Sequence, residues 1–186
     1  MAQVLRDDLL NGVSVLLAGS GRELGPRLES LGARTLAFAP SLDEAGEGGA
    51  AWVKEQDPLD ALVFDAGRGS GGDDELLALS AVLDAAWIAC AAAANGAFIP
   101  SGQGGRIVLI APPADAGGLA VAAADALENL ARTLSVEWAR YGITVTCLAP
   151  GSATGEGEVA TLVAFLLSRA GAYYSGSRFE LDGLID

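Results

Sequence analysis

Residues 120–151 constrain the fold of this chain more than any other stretch of its sequence. Apolar side chains recur there at the spacing of one helix face, and Glu128 and Arg132 lie four residues apart on the solvent side. The apolar positions are Leu127, Leu130, Ala131, Leu134 and Trp138. Gly142 ends the helix, and the β-branched, apolar residues 143–149 follow. The stretch therefore predicts a long amphipathic helix and then a buried parallel strand.

Strands and helices alternate along the rest of the chain. Apolar runs predict strands at residues 13–19, 34–39, 61–65, 106–110, 143–149 and 179–183, the last at a sheet edge. Helical spacing predicts helices at residues 26–31, 73–94, 120–141 and 158–168, and residues 41–57 are either loop or a degraded strand and helix. This order predicts an α/β fold, a Rossmann-like doubly wound parallel sheet, in a single domain over residues 1–186.

The predicted helix at residues 73–94 is unusually apolar. Acidic residues precede it, which suits the positive end of a helix dipole. Its expected core stripe consists of Leu76, Leu79, Leu83, Trp87, Cys90 and Ala94.

Charge excludes some partners. Eleven basic residues against twenty-four acidic ones give a net charge of -13, which repels phosphate backbones and anionic lipids, so nucleic acid is not expected as a partner. The N-terminus has no basic start before an apolar core, so it does not resemble a signal peptide. Residues 85–99 are too short to span a bilayer, and Asn95-Gly96 interrupts them. We expect a soluble, cytoplasmic protein without membrane association.

Two cysteines, Cys90 and Cys147, lie in a helical and a strand pattern without metal-ligand spacing. Buried free thiols are the simplest interpretation, and no metal site is predicted. Residues 18–25 read Ala-Gly-Ser-Gly-Arg-Glu-Leu-Gly between the first strand and the first helix. Such a turn lets backbone N–H groups approach a pyrophosphate, although Glu23 brings a repulsive carboxylate close to it. A purely structural turn is the alternative.

Several of these segments together resemble the short-chain dehydrogenase/reductase (SDR) family. The helix, turn, strand and Pro150-Gly151 resemble its second half, residues 18–25 its glycine motif, and Leu181-Asp-Gly183 its ending. Phe64-Asp-Ala-Gly67 is similar to the family's Asn-Asn-Ala-Gly. The resemblance covers nearly the whole chain and implies that NAD(P) is either bound weakly or not at all. The cofactor-binding positions it implies are Gly19, Ser20, Gly21, Gly25, Ala66 and Gly67.

The chain departs from the family at its catalytic residues. The family's tyrosine and lysine positions fall on Ala120 and Ala124, and its serine position falls within residues 111–113, Ala-Pro-Pro. Lys54 is the one lysine, histidine is absent, and no Tyr-x-x-x-Lys occurs. Hydride transfer to a carbonyl needs a proton donor, so no catalytic residue is predicted. The region of the family's second to fourth strands is shortened, and the segment that covers substrate after Pro150-Gly151 is deleted.

The resemblance implies a non-catalytic subunit, or pseudoenzyme. Its partner is expected to be a catalytically active SDR paralogue, a second copy, or both, held through helices 73–94 and 120–141 and the C-terminal segment. Known pairings of this kind in the family include dehydrogenases acting on hydroxyacyl-CoA thioesters. Two alternatives remain open. One is an NAD(P)-dependent oxidoreductase that uses Tyr141, Asp115 or Asp65, and the other is a nucleotide or small-molecule sensor on an SDR scaffold.

Overall fold

A computed structural model describes residues 5–19, 24–40, 48–67 and 75–181. Six parallel strands form one sheet in the order β2-β1-β3-β4-β5-β6. The strands are β1 (Ser14–Gly19), β2 (Arg34–Ala37), β3 (Ala61–Asp65), β4 (Gly105–Ile110), β5 (Ile143–Pro150) and β6 (Arg178–Leu181). The helices are α1 (Gly25–Glu29), α2 (Gly48–Lys54), α3 (Glu75–Ala93), α4 (Ile99–Ser101), α5 (Ala120–Glu137) and α6 (Glu156–Leu167). The predicted α/β fold and the position of β6 at an edge are confirmed.

Helices cover both faces of the sheet. One face packs against α2, α3 and α5, and the other packs against α1 and α6. Residues of β3 alternate between these two cores, with Leu62 and Phe64 on the first face and Ala61 and Val63 on the second. Every residue of β3 is buried, as expected for the interior strand of a parallel sheet.

The strand order reverses between β1 and β3, because the chain leaves β1 for β2 on one side and returns to β3 on the other. In an open α/β sheet the connections diverge at such a point and leave a crevice outside the carboxyl ends of the strands. The topology therefore places a candidate site at the ends of β1 and β3.

The structure adds detail to the predictions around α2 and α3. Within residues 41–57, for which loop and degraded structure were both open, residues 48–54 form α2, and residues 41–47 lie outside the described part. Asn95-Gly96 does not interrupt the third helix, because Ala94–Phe98 form a π turn that leads into α4. A Cβ on Gly96 would lie 2.6 Å from the Ala50 carbonyl oxygen, so the glycine is needed where α2 packs on this turn.

The continuous helical run from Glu75 to Ser101 is long and apolar enough to cross a membrane, with a hydropathy of 2.0. The expectation concerned residues 85–99 alone, and the helical run that contains them is longer than that stretch. It is one helix of this kind among the described residues, and by itself it is weak evidence for a membrane span. Its inner residues pack in the core beside the sheet, which a soluble protein also requires of a central helix.

The inner faces of α3 and α5 were predicted with different success. Leu127, Ala131 and Leu134 of α5 are buried as expected, and Arg132 pairs with Glu128 at 2.7 Å. In α3 the expected stripe is wrong in part, because Leu76 is 71% exposed and Trp87 is 48% exposed. Small residues of α3 face the sheet instead, namely Ala86, Ala89, Cys90, Ala92 and Ala93.

Both cysteines are free and buried, as predicted. Burial removes the thiolate from water and raises the pKa of Cys90 to about 12. Burial likewise raises the pKa of Cys147 to about 12, and the nearby Arg178 guanidinium opposes this rise in part. Both groups are therefore neutral thiols at physiological pH.

Candidate functional site

A cleft of about 280 Å³ lies at the carboxyl ends of the central strands. Its walls are the first turns of α3 and α5 and the loop between β4 and α5. The residues that define it are Gly19, Asp65, Ala66, Leu79, Pro112 and Ala120. This is the crevice that the strand order predicts for a ligand.

Gly19 ends β1 and borders the cleft. It pairs with Asp65 of β3, and a Cβ at this position would lie 2.1 Å from the Asp65 carbonyl oxygen. Its φ of 91° is also one that residues with side chains rarely adopt. The close approach of two strands therefore requires this glycine whether or not a ligand binds.

Gly25, a second predicted cofactor position, does not line the cleft. It is buried at the start of α1, where a Cβ would lie 3.5 Å from Leu17 Cδ1 and 3.6 Å from Thr35 Oγ1. These are ordinary packing distances, so alanine would fit. The predicted positions Ser20 and Gly21 lie outside the described residues, as does Glu23.

The segment Asp65-Ala66-Gly67 forms the floor of the cleft. Asp65 is 4% exposed, and its Oδ1 accepts a hydrogen bond from the Gly67 N–H at 2.9 Å. The Ala66 N–H donates to the carbonyl oxygen of Ile110 at 3.0 Å and joins the ends of β3 and β4. Ala66 lines the cleft and Gly67, with a φ of 68°, turns the chain behind it. Asp65 thus holds a turn, as its position after the strand suggested.

The positions that the sequence resemblance implies for the family's tyrosine, lysine and serine carry alanine and proline, whose side chains have no titratable group. Ala120 lines the cleft, Ala124 is buried behind it, and Pro112 stands on the loop after β4. The acidic residues of the described lining are Asp65 and Glu75, and that lining includes no basic residue. This charge is unfavourable for a pyrophosphate, which proteins usually bind with backbone N–H groups and cations.

The alternative catalytic residues are not brought together. Tyr141 belongs to a 3-10 turn, Ala139–Tyr141, directly before β5, and therefore lies at the amino ends of the strands. The Arg140 guanidinium stacks over its ring, 4.6 Å from the centroid. Asp115 is exposed on the loop between β4 and α5, and Asp65 alone of the three lines the cleft. The arrangement offers no acid–base pair at the cleft within the described residues.

The connection between β5 and α6 is short. It consists of Gly151–Gly155, and it is tied to β6 because the Gly151 N–H donates to the Leu181 carbonyl oxygen at 2.7 Å. The hydroxyl of Thr154 donates to the same oxygen. The predicted absence of a long covering segment after Pro150 is confirmed, so the cleft has no cover from this part of the chain.

No protein-family model matches this chain. An uncharacterized oxidoreductase of Mycobacterium tuberculosis is 32% identical to it, over 55% of this chain and 53% of the relative. The chain thus spans about half the length of the curated relatives it matches. Among solved structures, a citronellol catabolism dehydrogenase of Pseudomonas aeruginosa is 24% identical, with a TM-score of 0.75 over 99% of both chains.

A mutant short-chain dehydrogenase/reductase of Serratia marcescens is 25% identical, with a TM-score of 0.71 over 94% of this chain and 98% of that one. This chain has the fold of a short-chain dehydrogenase/reductase. Its sequence is also similar to that of an oxidoreductase. The cleft lies in the crevice that this fold provides, and Ala120 and Pro112 line it.

Proposed function

We propose that this chain is a non-catalytic SDR-fold subunit that assembles with a catalytically competent SDR paralogue and supports it. The observation that carries this proposal is an apolar surface on the outer sides of α3 and α5, which we call the helix face. Its large members are exposed by 48% to 77%, and they are Leu76, Leu77, Trp87, Val121 and Val136. Contiguous apolar surface of this kind is typical of protein interfaces.

The helix face is supported by its internal packing. Trp87 of α3 stacks on Trp138, which follows α5, with ring centroids 6.5 Å apart. This contact joins the outer sides of the two helices at Trp87. A partner with a matching pair of helices would bury these residues, and a chain of the same fold supplies such a pair.

The cleft supports a non-catalytic role. With alanine at positions 120 and 124 and proline at position 112, the described lining has no tyrosine, histidine or lysine to serve as proton donor or oxyanion-stabilising cation, and its titratable groups are the carboxyl groups of Asp65 and Glu75. General acid catalysis alone contributes a factor of about 10² to 10⁴ in rate. The NAD(P)-dependent reaction would accordingly take place in the partner. The family resemblance makes hydroxyacyl-CoA thioesters the first substrate class to assay.

Co-expression with a full-length SDR encoded near this chain tests the proposal. Size-exclusion chromatography with light scattering should reveal a mixed oligomer, and partner activity or stability should decrease when this chain is left out. Leu77→Ser and Trp87→Ser should dissociate the oligomer, because each removes an exposed member of the helix face. Tyr173→Ser serves as the matched control, since Tyr173 is 90% exposed but lies near the C-terminal segment.

The outcomes separate the possible interfaces. Dissociation by Tyr173→Ser alone would move the interface to the C-terminal segment, where β6 forms a sheet edge. A homodimer that ignores the paralogue would contradict the subunit proposal.

A small-molecule sensor is the second candidate. The cleft is mostly apolar and is not filled by side chains, which favours a compact ligand with few charges over a dinucleotide. Titration calorimetry with NAD(H) tests the nucleotide form of this candidate. Measurable binding without turnover would favour a nucleotide sensor, whereas both a compact-ligand sensor and a structural subunit predict no binding.

A further inference from the structure

A second cavity lies at the opposite end of the sheet, and the geometry points to it as a binding site for a small organic anion whose carboxylate or phosphate group contacts Arg106. The cavity has a volume of about 660 Å³ and is lined by the segments before β3, β4 and β5 and by the ends of α2 and α4. This volume is in the range of small-molecule sites. We call it the amino-end pocket.

Arg106 is the second residue of β4 and lines this pocket. Its Nε is buried and has no hydrogen-bond partner among the described residues. The Arg106 side chain as a whole is half-buried, but a donor atom such as this Nε that is taken out of water normally has an acceptor, because otherwise it loses its hydration without replacement. Arg106 therefore has free capacity for a planar, bidentate acceptor.

The other two arginines in the described strands both pair with carboxylates. Arg34 of β2 pairs with Asp57. Arg178 of β6 has an unpaired Nε as well, but its terminal nitrogens contact Asp125, Glu128 and Glu180 at 2.9 to 3.1 Å. In a sequence with a net charge of -13, a strand arginine without a carboxylate is the exception.

Carboxylates near Arg106 are engaged elsewhere. Asp57 and Asp60 line the same pocket, but Asp57 pairs with Arg34, and Asp60 Oδ2 accepts a hydrogen bond from the Ser14 N–H at 2.8 Å. The second cation of the lining is Lys54, at the end of α2. The pocket thus combines two basic side chains with acidic ones that already have partners.

Neighbouring groups complete the receptor. Thr144 lies directly opposite Arg106 on β5 and lines the pocket. Side chains opposite each other on adjacent strands share a face and lie about 5 Å apart, so its hydroxyl can hydrogen-bond the same ligand. The wall beside them is backbone, because a Cβ on Gly104 would lie 2.4 Å from the Gly142 carbonyl oxygen. The close approach of Gly104 and Gly142 fixes this wall, and glycines place no side chain in the amino-end pocket.

The test uses the Nε–Hε resonance of Arg106 in the ¹⁵N-labelled full chain, assigned through its loss in Arg106→Lys. Succinate and inorganic phosphate are titrated separately at 150 mM salt, where the Debye length of about 8 Å suppresses repulsion by the acidic surface. We expect a saturable shift with at least one probe. Succinate alone would identify a carboxylate site, phosphate alone a phosphate site, and both a general oxyanion site.

Variants make the assignment specific. Arg106→Lys keeps the charge but loses the planar fork and should weaken binding by about tenfold. Thr144→Val should weaken it by about threefold to tenfold, and it retains Arg106 for detection if the lysine variant folds poorly. Arg27→Gln removes one exposed charge far from the pocket and should change nothing. Equal weakening by Arg27→Gln and Arg106→Lys, or no saturable shift with both probes, would overturn the assignment.

Discussion

Helices α3 and α5 cover the same face of the sheet, but they differ in the size of the side chains that face it. The inner side of α5 consists of larger side chains such as Leu127 and Leu134, and its outer side includes the Glu128–Arg132 ion pair. The inner side of α3 consists of alanines and Cys90, while leucines and Trp87 point outward. A helix that only covers a sheet needs the first pattern.

Packing against the sheet explains why Leu127 and Leu134 lie on the inner side of α5. It does not explain why Leu76, Leu77 and Trp87 are exposed on α3. Alanine on the inner side lets α3 approach the sheet and the neighbouring α2 closely, and the approach of Gly96 to α2 continues this packing. Leu76 and Leu77 contribute little to that core, because they are 71% and 67% exposed. Exposed apolar side chains of this kind are typical of protein interfaces, and the subunit proposal rests on them.

The largest expected effect separates the two kinds of leucine. Leu127→Ala in α5 deletes a fully buried side chain and should lower the free energy of unfolding by about 2–5 kcal/mol. Leu76→Ala deletes an exposed one and should change the stability of the isolated chain by less than about 0.5 kcal/mol. Urea denaturation of both variants at one protein concentration measures this. A comparable loss in Leu76→Ala would show that the outer side of α3 is already packed within the chain.

The next effect tests the close packing of α3. Ala93→Leu inserts a larger side chain where the residue is fully buried, and overpacking should cost about 1–3 kcal/mol. Ala81→Leu, on the exposed side of the same helix, is the control and should be nearly neutral. Thermal unfolding of both variants decides the matter. A neutral Ala93→Leu would mean that α3 can move away from the sheet and that its alanines are not required.

The sequence predicted the fold well because the sheet is built from local patterns. Apolar runs located all six strands within a few residues, and α5 was found because its stripe has a single helical period. The third helix was located but not oriented, since apolar residues on all sides give no preferred face. Asn95-Gly96 predicted a break, although the glycine is there for packing against α2, a tertiary contact that no local pattern reveals.

The candidate site was predicted less completely. Gly19 and Ala66 do meet at the cleft, but Gly25 faces the other core, because α1 turns away directly after the glycine motif. Sequence reasoning missed Arg106 entirely, although an arginine in a buried strand of an acidic chain was a usable signal. Whether its guanidinium has a carboxylate partner depends on residues 20 or more positions away, and only the folded structure shows that.

Cys90, on the inner side of α3, and Cys147, on β5, should make stability depend on alkaline pH. Burial raises the pKa of each thiol from its ordinary value to about 12 in the folded chain. Between pH 9 and 12 the unfolded state loses protons that the folded state keeps, so stability falls with rising pH by up to about 1.4 kcal/mol per pH unit and thiol. Guanidinium denaturation at pH 8 and pH 10 measures the slope. The double variant Cys90→Ala, Cys147→Ala should have a clearly smaller slope, and an equal one would assign the effect to other groups.

The smallest expected effect concerns the ion pair on the solvent side of α5. Arg132 is 66% exposed and pairs with Glu128 on the same helix, so Arg132→Gln should cost only about 0.3–0.5 kcal/mol and less at high salt. Arg178 also contacts Glu128, but it is 23% exposed and joins β6 to α5 through Asp125 as well. Arg178→Gln should therefore cost more, because it leaves Glu128 with one cation and frees the edge strand from the helix. Denaturation of both variants at low and high salt tests this order. If Arg132→Gln lowered the free energy of unfolding more than Arg178→Gln, the ion pair within α5 would contribute more to stability than the contact between β6 and α5.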